Sequence, residues 1–231
     1  MKINLSLKKL NKENKMNVFM GQSEAVLEEL WNNGIPIDIV ITEDKPSNSK
    51  VVEFCKKQNI PVYIIKNYKD IKKLLHEYEN LEHCFVASFG IILKSDTIKK
   101  FKKYIINFHA GDVFKCRGRH PLPASILHNY PEMGITVHLI EDEKIDAGPI
   151  LYRLLMPIDY DASYKANEKR LSNGLRCLAS LVANDIKQDK IVTYRWNVEE
   201  SIYFKPLERD ILKKIIESKR LRDIKHEKSC N

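Results

Sequence analysis

No stretch of the chain stays apolar for the roughly 20 residues that a membrane-spanning helix needs. Nothing here therefore points to an integral membrane protein. Cys-x-x-Cys pairs are absent, and no His or Cys spacing suits a zinc site, so no metal is expected. The five cysteines, Cys55, Cys84, Cys116, Cys177 and Cys230, are odd in number and scattered. They argue for a reduced, cytoplasmic protein without structural disulfides. The first strand-to-helix turn, Gly21-Gln22-Ser23-Glu24, is not Gly-x-Gly-x-x-Gly and does not support a dinucleotide site. The first fifteen residues are basic but lack the apolar core of a secretory signal. They read as an addition to a domain that starts at Met16. Internal repeats and low-complexity segments are also absent.

The 231 residues suit one large domain with a sizeable core. The net charge is +8 and the pI about 9.1, but the lysines are spread along the exposed faces of helical segments. Such a surface suits anionic small molecules before nucleic acid.

Apolar runs alternate with helical patterns. Strands are expected at Met16–Met20, Ile37–Ile41, Ile60–Ile65, Cys84–Ser88 and from Tyr104. Helices are expected after Ser23, over Ser49–Gln58 and Lys69–Glu79, and in a short turn capped by Ser95. This order predicts an α/β protein with a mostly parallel twisted sheet, helices on both faces, and ligands beyond the carboxyl ends of the strands. Beyond the fifth strand, Pro121–His128 reads as a helix, and Gly134–Ile140 with Ile150–Met156 as an antiparallel edge. A long helix follows from Asp161-Ala162-Ser163 to about Lys187. Residues 191–231 form a short C-terminal extension ending in a basic amphipathic helix, Asp210–Glu227. That helix reads as a solvated face; pairing with a second subunit is the other reading.

The segment from Tyr104 to Tyr152 concentrates the chemistry. The strand starting at Tyr104 ends in Asn107-Phe108-His109, and residues two apart on a strand share a side. Asp146 follows 37 residues after His109, ahead of Ala147-Gly148-Pro149. An amide, an imidazole and a carboxylate can manage a proton and a developing oxyanion. Each has a plainer reading: a core histidine, a turn asparagine, a turn aspartate. Cys116, beside Arg117, is a candidate thiol nucleophile only if its pKa is lowered.

Asn107-x-His109, Arg117-Gly118 with Pro121, Gly134-Ile135-Thr136-Val137 and Asp146-x-Gly148 match in order and spacing. Together they resemble the folate-dependent formyltransferase family, over about Met16–Met156. The resemblance implies a Rossmann-like formyltransferase fold, with a catalytic domain at 16–190. It also implies transfer of a formyl group from N10-formyltetrahydrofolate to an amine. His109 would be the base, Asn107 the oxyanion donor and Asp146 the group orienting His109. The folate would meet Phe89, Gly90, Ile91, Ile92 and Asp142. Among the family's branches, the phrases Arg117-Gly118-Arg119-His120-Pro121 and Tyr203-Phe204-Lys205-Pro206 look most like the nucleotide-linked amino-sugar enzymes. A dTDP-4-amino-4,6-dideoxy sugar destined for surface polysaccharide is the expected acceptor, with Arg117, Gly118, Arg119, Pro121, Tyr203 and Lys205 on the substrate. Methionyl-tRNA and glycinamide ribonucleotide are the alternative acceptors. A non-catalytic binding module is the reading from another class.

Overall fold

Phe19, Phe85 and Phe108 are buried on one face of a sheet, and Met20, Val86 and Ile105 on the other. Strands apolar on both sides must be covered on both sides. The computed structural model, which describes Lys2–Ile3 and residues 15–224, meets that demand. In chain order the elements are β1 (Lys2–Ile3), β2 (Met16–Gly21), α1 (Glu24–Asn32), β3 (Ile39–Glu43), α2 (Ser49–Gln58), β4 (Val62–Ile65) and α3 (Tyr68–Leu75). Then come β5 (Leu81–Ala87), α4 (Ser95–Ile98), β6 (Ile105–His109), β7 (Arg117–Gly118), α5 (Pro121–Leu127) and β8 (Glu132–Leu139). The rest are β9 (Ile150–Pro157), α6 (Tyr164–Gln188), β10 (Tyr203–Phe204) and α7 (Arg209–Ile216).

The main sheet has the order β1-β4-β3-β2-β5-β6-β8-β9. β4, β3, β2, β5 and β6 run parallel, and the β6–β8 and β8–β9 pairings are antiparallel. This is the mostly parallel α/β sheet with an antiparallel edge that the sequence implied. Helices α1, α2, α5 and α6 pack into the core on the Phe19 face, and α3 covers the Met20 face. Ser23 caps α1 and Ser163 caps α6, as expected of serines ahead of apolar stripes.

Several strand ends are displaced by two or three residues, β3 running Ile39–Glu43 and β5 beginning at Leu81, and three helix termini differ from expectation. α3 stops at Leu75 rather than Glu79; Tyr78 leaves the helix to meet the Tyr63 hydroxyl at 3.1 Å. Ser95 does not cap α4 but sits inside its first turn, where its N–H and hydroxyl both donate to Glu143 at 3.0 Å. A carboxylate from a distant loop thus takes over the first N–H of the helix.

The expected helix Asp210–Glu227 is α7 alone, ending at Ile216; residues 225–227 lie outside the described residues. Tertiary hydrogen bonds end it. The N–H groups of Leu221 and Arg222 donate to the carbonyls of Ala162 (3.1 Å) and Tyr160 (2.9 Å), and Leu221 is fully buried. The C-terminal segment also returns to the middle of the chain, where Tyr203 and Phe204 of β10 pair in parallel with Arg117 and Gly118 of β7. Of the N-terminal residues, Lys2–Ile3 pair antiparallel with Tyr63 and Val62, and 1 and 4–14 lie outside the described residues.

If the segment after α7 is anchored by Leu221, Leu221→Ala should cost about 2–5 kcal/mol, the range for emptying a core leucine site. Urea denaturation would measure it; a change within experimental error would mean the segment is only appended.

Candidate active site

Strand alternation places the chemistry. Ile106 and Phe108 of β6 enter the core, so Asn107 and His109 turn to the opposite face. The helix after β5 on that face, α4, has only four residues, and the carboxyl end of the sheet is left open there. The opening is a cleft of about 860 Å³, lined by Asn107, His109, His138 and Asp146 at its centre.

Asp146 reaches this point by a close approach of backbone to backbone. Its own φ is +49°, in the left-handed region. A Cβ on Gly148 would stand 1.8 Å from the Leu139 carbonyl oxygen, so the loop can lie on β8 only with glycine there. Similar crowding explains the other motifs. A Cβ at Gly134 would meet the Asp112 Cβ at 2.7 Å, and the Thr136 hydroxyl donates to Gly111 O at 2.9 Å. Together they press the loop after His109 onto β8. Asp112 is held in turn by two bonds of 2.9 Å from Arg153.

His109 Nε2 lies 2.9 Å from the Cys116 carbonyl. A carbonyl only accepts, so Nε2 carries the hydrogen and neutral His109 has its lone pair on Nδ1. That Nδ1 stands 3.5 Å from Asp146 Oδ2. Gly118 N–H donates to the same oxygen at 2.9 Å. On Oδ1, Asn107 Nδ2 donates at 3.2 Å and His138 Nε2 lies 3.4 Å away. Burial works against the Asp146 charge. The His109 and His138 rings and the Gly118 N–H outweigh it and keep this carboxyl well below the usual range. The arrangement is chemically a base with its counter-charge in place, beside an amide donor.

Cys116 is no nucleophile. Its thiol is buried against Ser125 Oγ at 3.3 Å, and burial pushes its pKa up to about 11. Its contribution is the carbonyl that orients His109.

The remaining expected residues divide. Phe89, Gly90, Ile91, Ile92 and Asp142 line the cleft, as do Gly118, Arg119, Pro121 and Tyr203. Arg117 and Lys205 do not. Arg117 donates to the Ile145 carbonyl at 3.1 Å and lies 6.0 Å from the Tyr203 ring centre, so it braces the Asp146 loop instead of facing the cleft. Lys205 is exposed outside it. Among the described residues no group of three or more His, Cys, Asp or Glu could hold a metal, and no helix is long and apolar enough to cross a membrane.

The family model for formyl transferase matches residues 18–175, more than half of the chain. The chain belongs to the formyl transferase family. Among curated relatives, it is 27% identical over 199 residues to a methionyl-tRNA formyltransferase of Caldanaerobacter subterraneus, covering 80% of this chain and 64% of that protein. It is 31% identical over 203 residues to the enzyme of that name from Halalkalibacterium halodurans, covering 78% and 63%. The chain thus spans just under two thirds of their length. Among solved structures, an N-formyltransferase from Helicobacter canadensis, in complex with folinic acid and dTDP-3-aminofucose, shares the fold. Its TM-score is 0.67 at 20% identity, over 83% of this chain and 71% of that one.

Three residues at this cleft, His138, Glu43 and His120, escaped the sequence reading. His138 is buried and lies directly opposite Asn107 in the β6–β8 register, which is a signal only once the pairing is known. Glu43, at the carboxyl end of β3, accepts from Gly90 N–H (2.8 Å) and Gln22 (3.0 Å) and pairs with Lys45 (2.6 Å). Arg119 caps the same loop through Gly90 O at 2.6 Å. His120 has φ +58° and a buried Nδ1 without a hydrogen-bond partner among the described residues; burial, Arg119 and Lys45 lower its pKa.

The depressed Asp146 pKa sets a sign. Its folded value lies below the unfolded one, so its contribution is present above about pH 4 and is lost as pH falls through the folded value. The stability penalty of Asp146→Asn, measured by urea denaturation, should be full at pH 7 and shrink below pH 4. A penalty that grows on acidification would contradict the charge balance described here.

Proposed function

We propose that the protein transfers the formyl group of N10-formyltetrahydrofolate to the amine of a nucleotide-linked amino sugar. The observation that carries the reaction is the Asn107, His109 and Asp146 geometry inside the cleft. The folate supplies the formyl carbon. As the amine nitrogen bonds to that carbon, His109 Nδ1 takes the amine proton, and the imidazolium pairs with Asp146 Oδ2. An Asn107 N–H meets the charge developing on the formyl oxygen. When the carbon–N10 bond breaks, His109 returns the proton to the departing nitrogen. Amine and formyl group are held side by side, so proximity supplies much of the acceleration.

The cleft suits the folate. Val86, Leu93 and Ile140 give it an apolar wall for a flat ring, beside Phe89. The Gly90 N–H and C=O are already engaged by Glu43 and Arg119, so ring contacts fall to Ile91, Ile92 and the Asp142 loop. The sugar reading is supported by Tyr203, exposed at the cleft and held there by β7, and by the Arg119 and Lys45 cations for a pyrophosphate. The Helicobacter canadensis structure, solved with a dTDP-linked amino sugar, supports the same class. Methionyl-tRNA is the second reading, favoured by the curated relatives. Residues 16–190 serve as the catalytic domain in either case.

Purified protein with N10-formyltetrahydrofolate and a panel of 3-amino and 4-amino nucleotide sugars should give one product heavier by CO. His109→Ala should slow it about 10²–10⁴-fold, the usual worth of a general base. Formylation of methionyl-tRNA alone would overturn the sugar reading. Full activity in His109→Ala would overturn the mechanism.

A further inference from the structure

An asparagine amide has two N–H groups, and in this site both are directed inward. Asn107 Nδ2 lies 3.2 Å from Asp146 Oδ1 and 3.0 Å from His138 Nε2. The flipped amide would set its oxygen against a carboxylate oxygen, so the NH₂ must face this pair. His138 Nδ1 lies 2.9 Å from the Leu139 carbonyl, which only accepts, so Nδ1 carries the hydrogen. Neutral His138 therefore presents a bare Nε2, and Asn107 fills it. With Asp146 and neutral His138 both accepting, Asn107 has no N–H left for a formyl oxygen.

Protonation changes the count. Once His138 Nε2 carries a hydrogen it can no longer accept from Asn107, and the imidazolium is paired by charge with Asp146 Oδ1, 3.4 Å away. One Asn107 N–H is then released toward the cleft. Asp146 stands between two imidazoles, and one carboxylate balances one imidazolium.

We infer that His138 is a positioning residue: its proton, held against Asp146, frees an Asn107 N–H for the formyl oxygen while His109 stays neutral as the base. This rests on the proposed roles of Asn107 and His109. The groups around His138 are Asn107 and His109 from β6 and Asp146 from the loop after β8. Arg117 of β7 lies one step further out, on the Ile145 carbonyl. During transfer, the amine proton moves to His109 Nδ1 and then to the departing nitrogen; the His138 proton stays in place.

The test begins without substrate. Long-range ¹H–¹⁵N spectra of the intact protein should show His138 hydrogen-bearing at Nδ1 and bare at Nε2 at alkaline pH. Acidification should shift the Asn107 side-chain amide in step with the His138 titration, and His138→Gln should abolish that step. Gln offers Asp146 an amide N–H at every pH. An Nε2–H tautomer, or an Asn107 amide that ignores His138, overturns the inference whichever acceptor the enzyme uses. With a turned-over acceptor, kcat should fall about tenfold per pH unit on the alkaline side, as for an essential acid. His138→Gln and His138→Phe should flatten that limb with little change in KM. A purely structural His138 would instead leave the limb in place while both variants lower the rate uniformly.

Discussion

A mostly buried carboxylate in the middle of the sheet's carboxyl end is the constraint that the site obeys. Asp146 is expensive to bury, and each neighbour answers part of that cost. The Gly118 N–H and an Asn107 N–H donate to it, and two imidazoles flank it. Because its oxygens are committed to specific partners, the partners are fixed in place too. His109 is held from the far side by the Cys116 carbonyl and His138 by the Leu139 carbonyl, so both tautomers are set before any ligand arrives.

That arrangement reaches well beyond the motif. Gly118 offers its N–H to Asp146 from β7, and β7 exists as a strand because Tyr203 and Phe204 pair with it. Arg117 ties the loop carrying Asp146 to the same ribbon. The segment bearing Tyr203 is anchored in turn by α7 and by Leu221, whose N–H bonds the loop before α6. A C-terminal segment that looked appended is thus part of the wall around the central carboxylate. Glu43 does similar work on the other side of the cleft, where its contact with the Gly90 N–H links the end of β3 to the Phe89–Ile92 loop.

Alternation, apolar runs and serine caps were enough to read the parallel sheet, its antiparallel edge and most helices. Those signals are local: side chains two apart share a face, and a capping hydroxyl bonds three residues along. The ends of α3 and α7 were misread for the opposite reason. Tyr78 and Leu221 answer to Tyr63, Ala162 and the core, partners that no local window contains. Ser95 lost its capping role to Glu143, 48 residues away. In the site, Asn107, His109 and Asp146 stood out through their spacing and glycines. Arg117 was misplaced because a sequence does not say which way a guanidinium turns.

By itself the sequence determined which groups share a side: the period of a strand puts Asn107 and His109 together. Only the tertiary structure decided how those groups are wired. The register that sets His138 opposite Asn107, and the carbonyls that choose each imidazole's tautomer, come from strand pairing and loop closure. Hydrogen bonds depend on distance and direction to within a few tenths of an ångström. Residue order specifies such geometry only through the whole packed chain.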